Sequence, residues 1–221
     1  MGMGAHIAMS TNSAHKLLAW LSPSYPIGAY SYSHGLEYAI DAGDVHDAHS
    51  LQIWLSDVLQ YGAGRNDAIL LAHAYRADGD ALTELCDLAI ALSPSAERHL
   101  ETTAQGAAFA KVTSAITGHD ISAMPLPVAL GVAARREDVP LNDLIPLYLH
   151  SFAANIIAAG VRFIPLGQTD GQRVLHALFD QIDDIAKQAE TASLDDLGSA
   201  CFWSDIASMK HENMTTRIFR T

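Results

Sequence analysis

Three stretches place chemistry-bearing residues at short spacing. Ser31-Tyr32-Ser33-His34-Gly35 has the look of a nucleophile region. A nucleophile elbow, however, needs glycines on both sides of the serine and a strand leading into it, and neither is present. His46 and His49 are three apart, so one helical turn could show both imidazoles to one metal ion, with Asp44 and Asp47 nearby. Such a pair near a helix start is also an ordinary surface feature. His211-Glu212 opens like a zincin signature, but Thr215 stands where the second histidine is required. No Gly-Lys dipeptide occurs, which removes the phosphate-binding loop of nucleotide hydrolases, and no strand-helix-strand unit carries a dinucleotide fingerprint. The reading is a chain with no catalytic residues, no resident metal and no cofactor.

What must position these residues is a chain of 221 amino acids, 49% hydrophobic and 17% charged, with a formal net charge of -12. That is enough apolar material for one sizeable core. The negative charge argues against nucleic acid and against an anionic membrane as partners. Cys86 and Cys201 are far apart and form no Cys-x-x-Cys pair, so a disulfide framework and a thiol-redox site have no support. The uncharged apolar runs at 123–134 and 152–161 are too short to span a bilayer. The first ten residues lack a basic start and a long apolar stretch, so they do not read as a secretory signal and the cytoplasm is the expected location.

The periodicity is helical almost throughout. Leu51, Trp54, Leu55, Val58 and Tyr61 recur at helical spacing behind Asp47, a candidate cap. Asp80 is a candidate cap for the helix of Leu82, Leu85, Leu88 and Leu92, and Pro94 for the first turn of the next. Pro125 or Pro127 opens a short apolar helix, and Tyr148–Val161 reads as a buried central helix. Thr169 and Gln172 have the spacing of a capping box ahead of one long helix through Ala189. Alternating strand patterns are nearly absent. The expected fold is all-α: a single compact domain of about nine or ten helices over residues 1–209, with an irregular N-terminal segment and a mobile tail at 210–221. The tail carries Lys210, Arg217 and Arg220 against Glu212 on an otherwise acidic chain, which suits docking.

Two segments are unusual for plain structure. Ser22–Glu37 holds two prolines, two glycines and several tyrosines and serines, residues that bind partners with little loss of conformational freedom. Arg162–Arg173 is a polar, glycine-bearing corner directly after the most apolar helix. Together with the tail, these segments resemble the urease accessory protein UreF family. Ser22–Glu37 is similar to that family's Ser-Pro-x-Phe-Pro-x-Gly-x-x-x-x-Ser-x-Gly-Leu-Glu opening, with Tyr25 in place of Phe. Gly160–Arg173 resembles its Ala-x-Val-Lys/Arg-Leu-x-Pro-x-Gly-Gln segment. Ala207–Thr221 resembles its Ala-Ser-x-Arg-His-Glu-x-x-x-x-Arg-Leu-Phe-Arg-Ser ending, with Lys210, Ile218 and Thr221 as conservative departures.

The resemblance implies an all-helical homodimer without turnover of its own. It implies a chaperone scaffold that recruits the accessory GTPase UreG to the scaffold protein UreD (also called UreH) and assists GTP-dependent nickel insertion into apo-urease. On this basis Pro26, Tyr30, Glu37, Arg162, Gln168 and Gln172 are expected at the GTPase-facing patch. His211, Glu212, Arg217, Phe219 and Arg220 are expected at the scaffold partner. Two other readings stay open. One is a GTPase-activating protein that inserts an arginine, with Arg162, Arg173 and Arg217 as candidates. The other is a helical metal-binding protein using His46 and His49.

Overall fold

The computed structural model describes residues 9–220; residues 1–8, within the stretch judged not to be a signal, and residue 221 lie outside the description. Among the described residues the chain is all-α, with no strands. The helices are α1 (Thr11–Trp20), α2 (Leu36–Asp41), α3 (Ala48–Tyr61), α4 (Ala63–Ala74), α5 (Gly79–Ala91), α6 (Ala96–Thr117), α7 (Leu126–Arg136), α8 (Leu141–Phe163), α9 (Gln168–Ala177), α10 (Phe179–Thr191) and α11 (Phe202–His211).

α8 is the axis. It packs against α2, α3, α4, α9 and α10, and Leu144, Leu149, Ala153 and Ile156 on it have no exposed surface. Truncating one such leucine to alanine costs about 2–5 kcal/mol through lost transfer energy and the cavity left behind. α8 is also the one described helix long and apolar enough to cross a membrane, longer than the 152–161 run suggested because Leu141–Leu147 joins it. Here it is the core helix. α4 lies beside it and packs against α7, which also touches α8, and α7 in turn carries α6. Two glycines permit those last contacts. A Cβ on Gly131 would lie 2.5 Å from the Leu71 carbonyl oxygen, and one on Gly106 would lie 1.9 Å from that of Met124. Backbone thus meets backbone where any side chain would force the helices apart. α1 is held at its end by Trp20, whose ring meets the edge of Phe109 with centroids 5.7 Å apart.

The capping chemistry explains several boundaries. Asp47 starts α3, accepting the Ser50 N–H at 2.8 Å while the Ser50 hydroxyl faces the Asp47 backbone N–H at 3.0 Å. Ser95 caps α6, so Pro94 lies just outside that helix. α5 begins at Gly79 behind Asp78, leaving Asp80 in its first turn. The Thr169–Gln172 box does not form: α9 starts at Gln168 behind Gly167. The long helix expected through Ala189 breaks at Leu178, which ends α9 and begins α10. α11 runs from Phe202 to His211.

Candidate functional site

Glu37 stands in the first turn of α2, where an exposed helix-start carboxylate would be the simple expectation. It is instead 5% exposed. The cause is Gly35, at φ 77°, which lets α2 begin directly against α11; a Cβ there would lie 2.7 Å from the Ser208 nitrogen. With α11 so close, the chain that leaves it passes over Glu37. The Glu37 carboxylate accepts the Ile218 N–H at 2.8 Å and the Phe219 N–H at 2.9 Å, and meets His211 Nε2 at 3.0 Å.

The remaining tail contacts follow the same pattern. His211 Nδ1 lies 2.7 Å from Glu97 in α6, and Arg217 pairs with the other oxygen of Glu97. Glu212 accepts the Ala96 N–H at 2.8 Å and so helps to cap α6, favoured by the partial positive charge at that helix end. The Phe219 ring is 4% exposed, 5.4 Å from the Phe163 ring, with the Arg162 guanidinium 5.7 Å above it. The Arg220 N–H donates to the Ser31 carbonyl at 2.8 Å. Residues 212–220, most of the tail expected at 210–221, lie against the body in this structure. The tail has no helical period; its partners lie on α2, α6 and α8, and only tertiary structure supplies them.

The two anticipated residue groups consequently meet. Tyr30 and Arg162 border one groove, and Arg162 covers Phe219. Pro26, Tyr30, Arg162, Gln168 and Gln172 are exposed, as are Glu212, Arg217 and Arg220. Glu37, His211 and Phe219 are buried beneath them. Gln168 and Gln172 stand on α9, whose Gly171 fits against Val161 and Ile157 of α8. Of the candidate arginine fingers, Arg173 pairs with Asp170 at 2.6 Å, and Arg217 with Glu97.

Ser33 and His34 are both buried. The Ser33 hydroxyl accepts the Glu37 N–H at 3.3 Å, and His34 joins a buried charge cluster that sequence reasoning missed. There Glu101 accepts from Arg98, from Gln105 at 3.0 Å and from His34 at 2.8 Å. Burial opposes ionisation of Glu101, but the charge of Arg98 and the hydrogen bonds around it bring its carboxyl down to about 2. Burial and Arg98 together push His34 toward its neutral form. Asp67 accepts the Tyr148 hydroxyl at 2.7 Å, yet burial still raises its carboxyl to about 6. The spacing Arg98, Glu101, Gln105 marks one helix face and was the available signal. On a buried face it means an internal ion pair, not an exposed one.

This cluster forms the polar floor of a groove of about 560 Å³ whose walls include Leu17, Trp20, Phe109, Leu130 and Phe152. A smaller cavity of about 50 Å³ shares His34, Asp67, Arg98 and Thr102 with it. Elsewhere, the outward side of α11 carries Phe202, Trp203, Ile206 and Met209, all exposed, with Trp203 at 76%. Among the described residues no three His, Cys, Asp or Glu side chains converge as a metal site; His46 is exposed, with its Nδ1 3.2 Å from the Gly43 carbonyl oxygen.

Comparison with known proteins gives this arrangement a family. The UreF family model matches residues 45–179. A urease accessory protein UreF of Cereibacter sphaeroides is 54% identical over 205 residues, covering 93% of this chain and 97% of the relative. The chain belongs to the UreF family. Proteins of the same name from Roseobacter denitrificans and Rhodopseudomonas palustris are 47% identical over 217 residues and 48% identical over 227 residues. They cover 98% and 97% of this chain, and 98% and 93% of their own lengths. At 98% coverage, similarity to the Roseobacter relative reaches beyond residues 45–179 to take in Ser22–Glu37 and most of the tail, while Arg162–Arg173 already lies within the matched region.

Proposed function

We propose that this chain is a non-catalytic docking scaffold in urease maturation. It recruits the GTPase UreG to the scaffold protein UreD/UreH and assists GTP-dependent nickel insertion into apo-urease. The observation that carries this reading is the exposed apolar face of α11, where Phe202, Trp203, Ile206 and Met209 stand beside the seated tail and Ile218 adds a further exposed apolar residue. Clustered aromatic and aliphatic residues left in water mark protein contact surfaces. Glu212, Arg217 and Arg220 would supply the polar rim toward UreD, with the arginines as forked donors.

Pro26, Tyr30, Arg162, Gln168 and Gln172 serve as the GTPase-facing surface in this reading. Glu37, His211 and Phe219 contribute from beneath, by fixing the backbone that displays the others. A homodimer would close through apolar surface, and Leu18 and Leu147 are exposed around the large groove. The cytoplasm is where such a complex would work.

The test is light scattering on mixtures with cognate UreD, then with UreG and GTP. A Phe202→Ser/Trp203→Ser double variant should keep its melting temperature and fail to bind UreD. A Tyr30→Ala/Arg162→Ala variant should bind UreD and fail to recruit UreG. Unimpaired assembly by both variants would overturn the surface assignment. Faster GTP hydrolysis by UreG that vanishes with Arg162→Ala would instead establish an inserted arginine.

A further inference from the structure

The groups around His211 demand more protons than a neutral imidazole holds. The ring has no exposed surface, and each nitrogen faces a carboxylate: Nε2 at 3.0 Å from Glu37, Nδ1 at 2.7 Å from Glu97. Neither carboxylate has a proton to offer. Glu37 already accepts two backbone N–H groups, from Ile218 and Phe219, and Glu97 accepts the Arg217 guanidinium. An ionised carboxylate only accepts, so both ring nitrogens must donate, and an imidazole that donates from both is a cation. Two carboxylates, one guanidinium and one imidazolium then sum to zero. Removing the ring proton leaves an uncompensated negative charge and a nitrogen lone pair aimed at an oxygen, away from water.

The geometry points to a proton-loaded clasp: His211 holds residues 212–220 on the body while its ring carries two protons, and lets them go when one is lost. The step is a simple acid dissociation, with the proton leaving to solvent and the freed carboxylates becoming hydrated as the tail lifts. Only groups near the ring bear on this balance. α2 contributes Glu37, α6 contributes Glu97, and the tail contributes Arg217. On α11 itself Lys210 lies over the Tyr38 ring at 5.4 Å, and just beyond it Glu212 is engaged with the start of α6. Arg162 of α8 faces Phe219. His34, Arg98 and Glu101 form a separate set, paired with one another. The clasp is independent of which partner the exposed surfaces recognise.

Ring nitrogen and aromatic resonances of the full chain, labelled on histidine and phenylalanine, test it directly. Spectra would be followed from about pH 6 to about pH 10. At the acid end both His211 nitrogens should be protonated and the Phe219 ring shifted by its neighbour Phe163. Both signals should change at one midpoint as pH rises, while Phe109 and Phe152 in the core stay fixed. Glu97→Gln supplies an amide that either donates or accepts, so a neutral ring suffices; the midpoint should move to lower pH or the tail stay seated throughout. In the unsubstituted chain, a neutral ring with Phe219 still seated overturns the clasp. So does loss of the ring proton with no change at Phe219, an unaltered midpoint in Glu97→Gln, or core signals that shift together with the tail.

Discussion

Glu37 and Phe219 are joined by one hydrogen bond of 2.9 Å, from the Phe219 N–H to the Glu37 carboxylate, across 182 residues of chain. The same carboxylate takes the Ile218 N–H and meets His211. Glu37→Ala would leave those donors without acceptors beneath a tail that no longer has a seat. We expect a loss of about 2–4 kcal/mol in denaturant unfolding, with proteolysis near Thr215 becoming rapid under native conditions. Wild-type resistance in Glu37→Ala would show that the remaining contacts, of Glu212, Arg217, Phe219 and Arg220, hold the tail without it.

Glu101 predicts an acid limb. Its carboxyl sits at about 2 in the fold against an ordinary 4.5, so the unfolded chain takes up a proton first. The stability it contributes is complete above about pH 4.5 and is lost as pH falls toward 2. Glu101→Gln, which strands Arg98 in the interior, should cost about 3–5 kcal/mol near neutrality and flatten that limb. An unchanged acid limb in the variant would assign it to other carboxylates.

Asp67 has the opposite sign. Burial raises its carboxyl to about 6 from an ordinary 3.8, so the folded state holds the proton longer than the unfolded one. Stability therefore falls as pH rises from about 3.8 to about 6, and the penalty is fully present above that. Asp67→Asn keeps an acceptor for Tyr148 and removes the charge. It should be more stable than wild type at pH 8 by an amount on the order of 2 kcal/mol, with no gain at pH 4. Equal gains at both values would point to packing.

Gly106 and Gly43 separate close approach from backbone conformation. Gly106→Ala drives a methyl into the Met124 carbonyl oxygen and should cost about 3 kcal/mol by forcing α6 from α7. Gly43, at φ 83° with open space around it, should lose only about 1 kcal/mol on substitution by alanine. Thermal melts of the two variants should differ accordingly, and similar shifts would contradict the α6–α7 contact.

These results bear on how far the sequence alone can be read. Asp47 as a cap and Tyr148–Val161 as a buried helix were legible because both depend on neighbours three or four residues away. The same local logic misplaced the start of α9, since Gly167 ends the corner before Thr169 can act, and it did not foresee the break at Leu178. The exposed or buried state of Glu37 was beyond it altogether. A glutamate in a helix's first turn looks the same whether it faces water or a chain segment 182 residues later. His34, Arg98 and Glu101 were hidden for a related reason: an i, i+3 ion pair reads as surface unless the third partner is known.

The separation along the chain gives the clasp one more meaning. Its acceptors, Glu37 and Glu97, lie 174 and 114 residues before His211. Contacts of such long range must first overcome the entropy of closing a long loop, so they form after nearer helix pairs have met. The clasp is therefore a latch that shuts late in folding. A molecule whose core around α8 is already built still shows two adjacent bare carboxylates to water until it does.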